Sequence, residues 1–307
     1  MAASSSTSPV ISVSFLISTC PVSIYRYSHS HHREPSAESL GLPHISAFLD
    51  SVAANFSHGA NFATSLSTIL PQNVTLARGG YSPFSLDVQL KQFLQLRHRS
   101  RAVYRRGGVF GHLMPKEEHF ARALYMFDIG QNDLTALYFQ NVSATPYLSA
   151  ALKELSRVVQ VPTNNSEHVD RLVACIPTTA IVLAQTVYER GGRSFWIHNT
   201  GPLGCLPYVL VRVPPAASRL DSSGCSILFN ALAEQFNTML NETVAQLRKR
   251  LPLASLILTD IYSVKDSLFR RAAIYGNADT TTFCEVNLIA ELSSSHACAM
   301  AHLLAMF

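Results

Sequence analysis

No stretch of this chain reaches the roughly 18–20 uninterrupted apolar residues that a helix needs to cross a bilayer, so no transmembrane segment is expected. Cysteine is sparse. Cys20, Cys175, Cys205, Cys225, Cys284 and Cys298 never fall at Cys-x-x-Cys spacing, which argues against a zinc site; no metal and no cofactor are expected. Charged residues make up only 14% of the 307 residues, against 48% hydrophobic ones, a balance that suits a buried core rather than a disordered polyelectrolyte. Glycine is absent before Gly41, so the strained turns that only glycine makes easily are missing from the first forty positions. Acidic residues are absent from residues 1–33. That segment is Ser-rich, with an apolar run over 10–17 ahead of a basic stretch over 26–33, which fits either a secretory signal or an organelle transit peptide.

The net charge is +4, and the basic residues are scattered except for Arg97, His98, Arg99, Arg101, Arg105 and Arg106. That run alternates with Ala, Val and Tyr and belongs to no nucleic-acid module, so it reads as a solvated helix face, and no nucleic-acid partner is expected. Five Asn-x-Ser/Thr sequons, at Asn55, Asn73, Asn141, Asn164 and Asn241, point to passage through the secretory pathway. In that oxidising compartment Cys205 and Cys225 can pair across the loop between them. A secreted protein is the first reading of its location, a plastid or another intracellular compartment the alternative.

From about Glu38 onward, helical periodicity alternates with short apolar runs, the pattern of an α/β fold built on a parallel sheet. Strands are expected over 123–129, 194–198 and 255–262, with helices over 169–188 and 225–251. In the last helix Leu228, Leu232, Phe236, Leu240, Val244, Leu247 and Leu251 follow at spacings of three or four and form one apolar stripe. Arg248, Lys249 and Arg250 occupy its final turn, where cations suit the negative end of the helix dipole, and Pro252 ends it.

In a parallel sheet, ligands gather beyond the carboxyl ends of the strands. Asp128-Ile129-Gly130-Gln131-Asn132-Asp133 falls at such an end. Gly130 allows a sharp turn there, and Asn132 presents a neutral amide suited to stabilising an oxyanion, with Asp133 shaping the turn. Around this block the sequence resembles the plant GDSL esterase/lipase (SGNH hydrolase) family, in its early-nodulin and acetylesterase branch. The resemblance rests on SLGLPHISAFLDS (39–51), NFSHGANFAT (55–64), SPFSLDVQLKQF (82–93), FDIGQNDLTA (127–136), GGRSFWIHNTGPLGCLPY (191–208) and LPLASLILTDIYSVKDSLF (251–269), in the family's order.

The resemblance implies a flavodoxin-like three-layer α/β/α sandwich over residues 38–277, flanked by non-matching segments at 1–37 and 278–307. It also implies hydrolysis of a carboxylic ester, an acyl lipid or an acetylated glycan, through a serine acyl-enzyme. The family's machinery is a Ser in Gly-Asp-Ser, a backbone donor at a Gly, the Asn of Gly-x-Asn-Asp, and a His three residues after an Asp. A serine hydroxyl needs a base to take its proton, and the tetrahedral oxyanion needs preorganised donors. Only the third block is intact, and it places Asn132 in the oxyanion hole. Gly-Asp-Ser and Asp-x-x-His occur nowhere in the chain, and Leu66 stands at the family's oxyanion glycine. His296 and His302 have Ser293 and Ala299 three positions before them. Ser18, after the apolar run, lacks a glycine for a nucleophile turn. Nucleophile and base are therefore unassigned. The expectation is an impaired hydrolase on an incomplete sandwich, with a non-catalytic acyl- or glycan-binding relative and a truncated gene product as alternatives.

Overall fold

Short apolar runs followed by turn-forming residues pair as strands, and the longer periodic segments coil over them. A computed structural model describes residues 45–50, 54–64, 66–71, 81–139, 186–206, 209–210 and 219–271. Two short strands, β1 (Ser46–Ala47) and β2 (Ala60–Asn61), pair in parallel. They are followed by helices α1 (Leu86–Arg106) and α2 (Glu117–Arg122), strand β3 (Leu124–Phe127) and helix α3 (Gln131–Phe139). Then come β4 (Ser194–His198), α4 (Ile227–Arg250), β5 (Ser255–Thr259) and α5 (Ile261–Arg270). Strands β3, β4 and β5 form a second parallel sheet in that order, in continuous register from Leu124 opposite Ser194 to His198 opposite Thr259. Parallel sheets flanked by helices make this an α/β sandwich. Among the described residues no helix is long and apolar enough to cross a membrane, and no cluster of metal-binding side chains occurs.

The core is built from helix stripes laid against β3 to β5. Helix α1 buries Leu86, Gln89, Phe93, Leu96 and Ser100, a three-and-four spacing that keeps one face inward. Phe93 meets Phe62, Phe120 and Tyr125 edge-on, and Tyr125 stacks on Phe195, so an aromatic chain links the small sheet's segment to the larger one. The basic run lies on α1. Its members are exposed apart from half-buried Arg97, and Arg97 and Arg101 both clasp the Glu117 carboxylate. Their guanidinium hydrogen bonds pull the Glu117 carboxyl down to about 2. A lowered carboxyl stabilises above its unfolded value and loses that contribution as pH falls towards 2. Because the side chain is 44% exposed, the network contributes only about 0.5 kcal/mol after solvent screening. Glu117→Gln is expected to lower the melting temperature slightly at pH 7 and to leave it unchanged at pH 2; an equal effect at both would refute the ionic origin.

Three expectations are corrected by the fold. The α4 stripe begins at Phe229 and Ala233, and Leu228 is 46% exposed. Steps of four advance about 40° each around a 3.6-residue helix, so a row of 228, 232 and 236 drifts off the face that 229, 233 and 236 keep. The strand expected over 123–129 is confined to Leu124–Phe127 because the chain turns at Gly130, whose φ is 122°. The strand expected through Tyr262 stops at Thr259, since the Asp260 side chain accepts the Ser263 N–H and caps α5. At the end of α4, Arg248 donates to the carbonyl of Leu256 on β5, a contact beyond what the helix dipole implies. Residues 186–189 are helical, and the rest of the helix expected over 169–188 lies outside the described residues.

Candidate functional site

The carboxyl end of β3 brings two distant segments together. Past Gly130, helix α3 opens with Asn132 and Asp133, both buried, and both side chains reach back to the loop at 66–70. The Asn132 amide donates one hydrogen to the Ser67 carbonyl at 2.8 Å. The Asp133 carboxyl accepts the N–H groups of Ile69 at 2.8 Å and Leu70 at 3.1 Å. From the other side Gln89 of α1 donates to the Ser67 hydroxyl and the Phe84 carbonyl. Loop 66–70 is thus clamped between α1 and α3 by hydrogen bonds spanning 22 to 65 residues of sequence.

Leu66 opens that loop with φ 63°, the only non-glycine residue at positive φ among the described ones. A left-handed conformation costs a branched side chain about 1–2 kcal/mol, whereas glycine adopts it freely. Its carbonyl accepts the Ser82 N–H, which fixes the turn. Burial pushes the Asp133 carboxyl up to about 7, against the pull of the two amides it accepts. Chemically, the turn holds a neutral amide with one hydrogen committed and one remaining, beside a backbone turn of glycine type. In general, a preorganised amide hydrogen of this kind can stabilise a negatively charged oxygen.

A second polar cluster at the same end of the sheet was not singled out from sequence. Asp128 and His198, each one residue past the last β3–β4 pair at Phe127 and Ile197, approach to 3.5 Å through Oδ2 and Nδ1, and Trp196 packs edge-on against the His198 ring. The Nε2 of His198 is buried and has no hydrogen-bond partner among the described residues. Lys265 of α5 is buried against Gly201; burial pushes its ammonium down while the Asp128 charge pulls it up. Strand ends at 128 and 198 are visible in the sequence, but only the register shows that they face each other.

The loop after β4 is latched to its surroundings at several points. Asn199 donates to Asp260 and accepts the Tyr262 N–H, while Asn237 exchanges two hydrogen bonds with the Thr200 backbone. Asn230 accepts the Gly204 N–H at 2.7 Å, and Cys205 is joined to Cys225 by a disulfide buried beside Phe269. Asn55 and Asn241 are exposed. Asn73, Asn141 and Asn164, like Ser18, His296 and His302, lie outside the described residues.

A family profile described as GDSL-like Lipase/Acylhydrolase matches residues 32–285. An Arabidopsis thaliana protein named Alpha-L-fucosidase 3 is 47% identical over 248 residues, which is 81% of this chain and 61% of that protein. A Zea mays protein named GDSL esterase/lipase ACHE is 44% identical over 249 residues, 81% of this chain and 57% of its own length. The Medicago truncatula GDSL esterase/lipase ENOD8 is 40% identical over 241 residues, 78% and 56% of the two chains. The chain therefore spans about three fifths of the length of the curated relatives it matches.

Proposed function

The chain belongs to the GDSL-like lipase/acylhydrolase family, and from that premise we propose that it holds small carboxylic esters at Asn132 but hydrolyses them weakly or not at all. The hydrolase-like domain in this reading covers residues 38–277. Asn132 is the observation that carries it: buried, tethered to Ser67 at 2.8 Å, and set beside the left-handed turn at Leu66 where the family places its glycine donor. The second amide hydrogen of Asn132, beyond the one given to Ser67, supports an oxyanion-stabilising role, while the 307 residues contain neither Gly-Asp-Ser nor Asp-x-x-His. A hydroxyl without an activating base is a poor nucleophile at neutral pH. Losing triad members lowers turnover by factors of about 10⁴–10⁶ in serine hydrolases generally.

Purified protein is accordingly expected to turn over p-nitrophenyl acetate at no more than about 10⁻⁴ of the rate of a relative with all four blocks. Rapid turnover abolished by a fluorophosphonate would overturn the reading and mark an unrecognised serine. Because one relative of comparable identity is named as a fucosidase, p-nitrophenyl α-L-fucoside belongs in the same assay. Saturable calorimetric binding of an acyl lipid or acetylated sugar, weakened by Asn132→Ala, supports retained ester recognition; absence of any binding counts against it. The buried disulfide and the exposed sequons at Asn55 and Asn241 support passage of the chain through an oxidising, glycosylating compartment.

A further inference from the structure

Helix α1 ends in a tip that neither the ester site nor the core uses. Arg105 and Arg106 close the helix, Gly107 and Gly108 follow at φ 64° and 122°, and Val109 and Phe110 begin a short 3-10 turn. Val109 is 73% and Phe110 67% exposed, the two most exposed neighbouring large apolar side chains among the described residues. A Cβ built on Gly107 or Gly108 meets nothing within 4 Å, so the tip stands clear of the rest of the fold. It is also held in place. The Tyr104 hydroxyl lies 2.8 Å and 3.0 Å from the Gly111 and Met114 carbonyls, and the Phe56 N–H donates to the Leu113 carbonyl at 2.8 Å. Water is a poor solvent for a fixed, contiguous Val–Phe pair, and covering it with an apolar phase would be favourable.

The charges around the tip decide the kind of contact. Arg97 and Arg101 share Glu117, while His98, Arg99, Arg105 and Arg106 are exposed without an ion-pair partner among the described residues. Of the acids on α2, Glu117 is thus taken, and the charge of Glu118 reaches Tyr104 at the foot of the tip. A partner must then offer negative charge and an apolar interior a few ångströms away. A soluble acidic polymer has only the charge, and an apolar protein groove would strand the guanidinium groups. An anionic bilayer has both, with headgroups for the arginines and acyl chains for Phe110.

We propose that the Arg105–Phe110 tip docks this chain on an anionic lipid surface. The tip precedes β3 through α2, at the amino end of the sheet, whereas Asn132 follows the carboxyl end. Docking is therefore separable from ester recognition and stands whether or not the chain turns over an ester.

The test is sedimentation of the full chain with vesicles of equimolar phosphatidylglycerol and phosphatidylcholine, against vesicles of phosphatidylcholine alone. Binding to the anionic vesicles is expected, falling with salt, and about tenfold weaker for Phe110→Ser, which removes the inserted ring. A further loss of about tenfold or more is expected for the double replacement Arg105→Gln with Arg106→Gln. Both variants change exposed residues and should melt with the parent; if Phe110→Ser does not, Val109→Ser replaces it. No binding to anionic vesicles, or equal binding to neutral ones, overturns the proposal. So does binding that polygalacturonate displaces and Phe110→Ser leaves intact, which would make the tip a polyanion site.

Discussion

Replacing Asp133 with alanine is expected to lower the unfolding free energy by about 2–6 kcal/mol at pH 5. Asp133 is buried, and its carboxyl accepts the amides of Ile69 and Leu70 at 2.8 and 3.1 Å. Truncation leaves two buried N–H groups without acceptors, each at a cost of about 1–3 kcal/mol. The pH dependence carries a sign that makes the prediction sharper. Burial raises the carboxyl to about 7, above an unfolded value near 4, so its contribution is full below about pH 4 and is lost as pH rises through 7. Ionising the buried carboxyl therefore costs the folded state about 4 kcal/mol more than the unfolded one. Urea melts of parent and Asp133→Ala should accordingly differ most near pH 4–5 and converge by roughly 3 kcal/mol towards pH 7–8. A gap that widens with pH would show that the two amides outweigh burial and that the buried group is a carboxylate throughout.

The same pair of residues shows how far the sequence could be read. Gly130, Asn132 and Asp133 stood out because a glycine and two turn formers follow an apolar run, a local signal. That Asp133 reaches back 64 residues to Ile69 is not local, and no periodicity encodes it. Strand existence was legible for β3, β4 and β5, since each is short, apolar and followed by polar residues. Strand ends were not, because Asp260 serves as a helix cap and Ile261–Tyr262 are as apolar as the strand before them. The Asp128–His198 pair required the register, which a set of strands alone does not contain. The α4 stripe departs at Leu228, which is exposed, while Leu232 packs partly buried against the core, because spacings of four and of three are both helical and four-residue steps drift around the helix. Leu66 was legible as a departure from a motif, whereas its left-handed φ is known only from the backbone.

Gly130 carries the second large effect: Gly130→Ala is expected to cost about 3–5 kcal/mol and to disorder the Asn132 turn. Two independent penalties meet there. At φ 122° an L side chain is strained wherever it points. A Cβ would also stand 2.5 Å from Cζ and 3.1–3.2 Å from two more ring carbons of Phe236, which is 1% exposed at the centre of the α4 stripe. The ring sits in a packed core and has no free volume into which to retreat. Relief must come from the turn itself, and the Gly130 carbonyl accepts the Leu134 N–H that starts α3. Moving it shifts Asn132 and Asp133 away from Ser67, Ile69 and Leu70. Gly107→Ala is the control, with a positive φ of 64° and nothing within 4 Å of its Cβ. With ψ at 167° it should cost only about 1–3 kcal/mol, the conformational part alone. If denaturant melts give the two alanine variants equal losses, the Phe236 contact is not what fixes this turn; if a cavity-making Phe236→Leu partly rescues Gly130→Ala, it is.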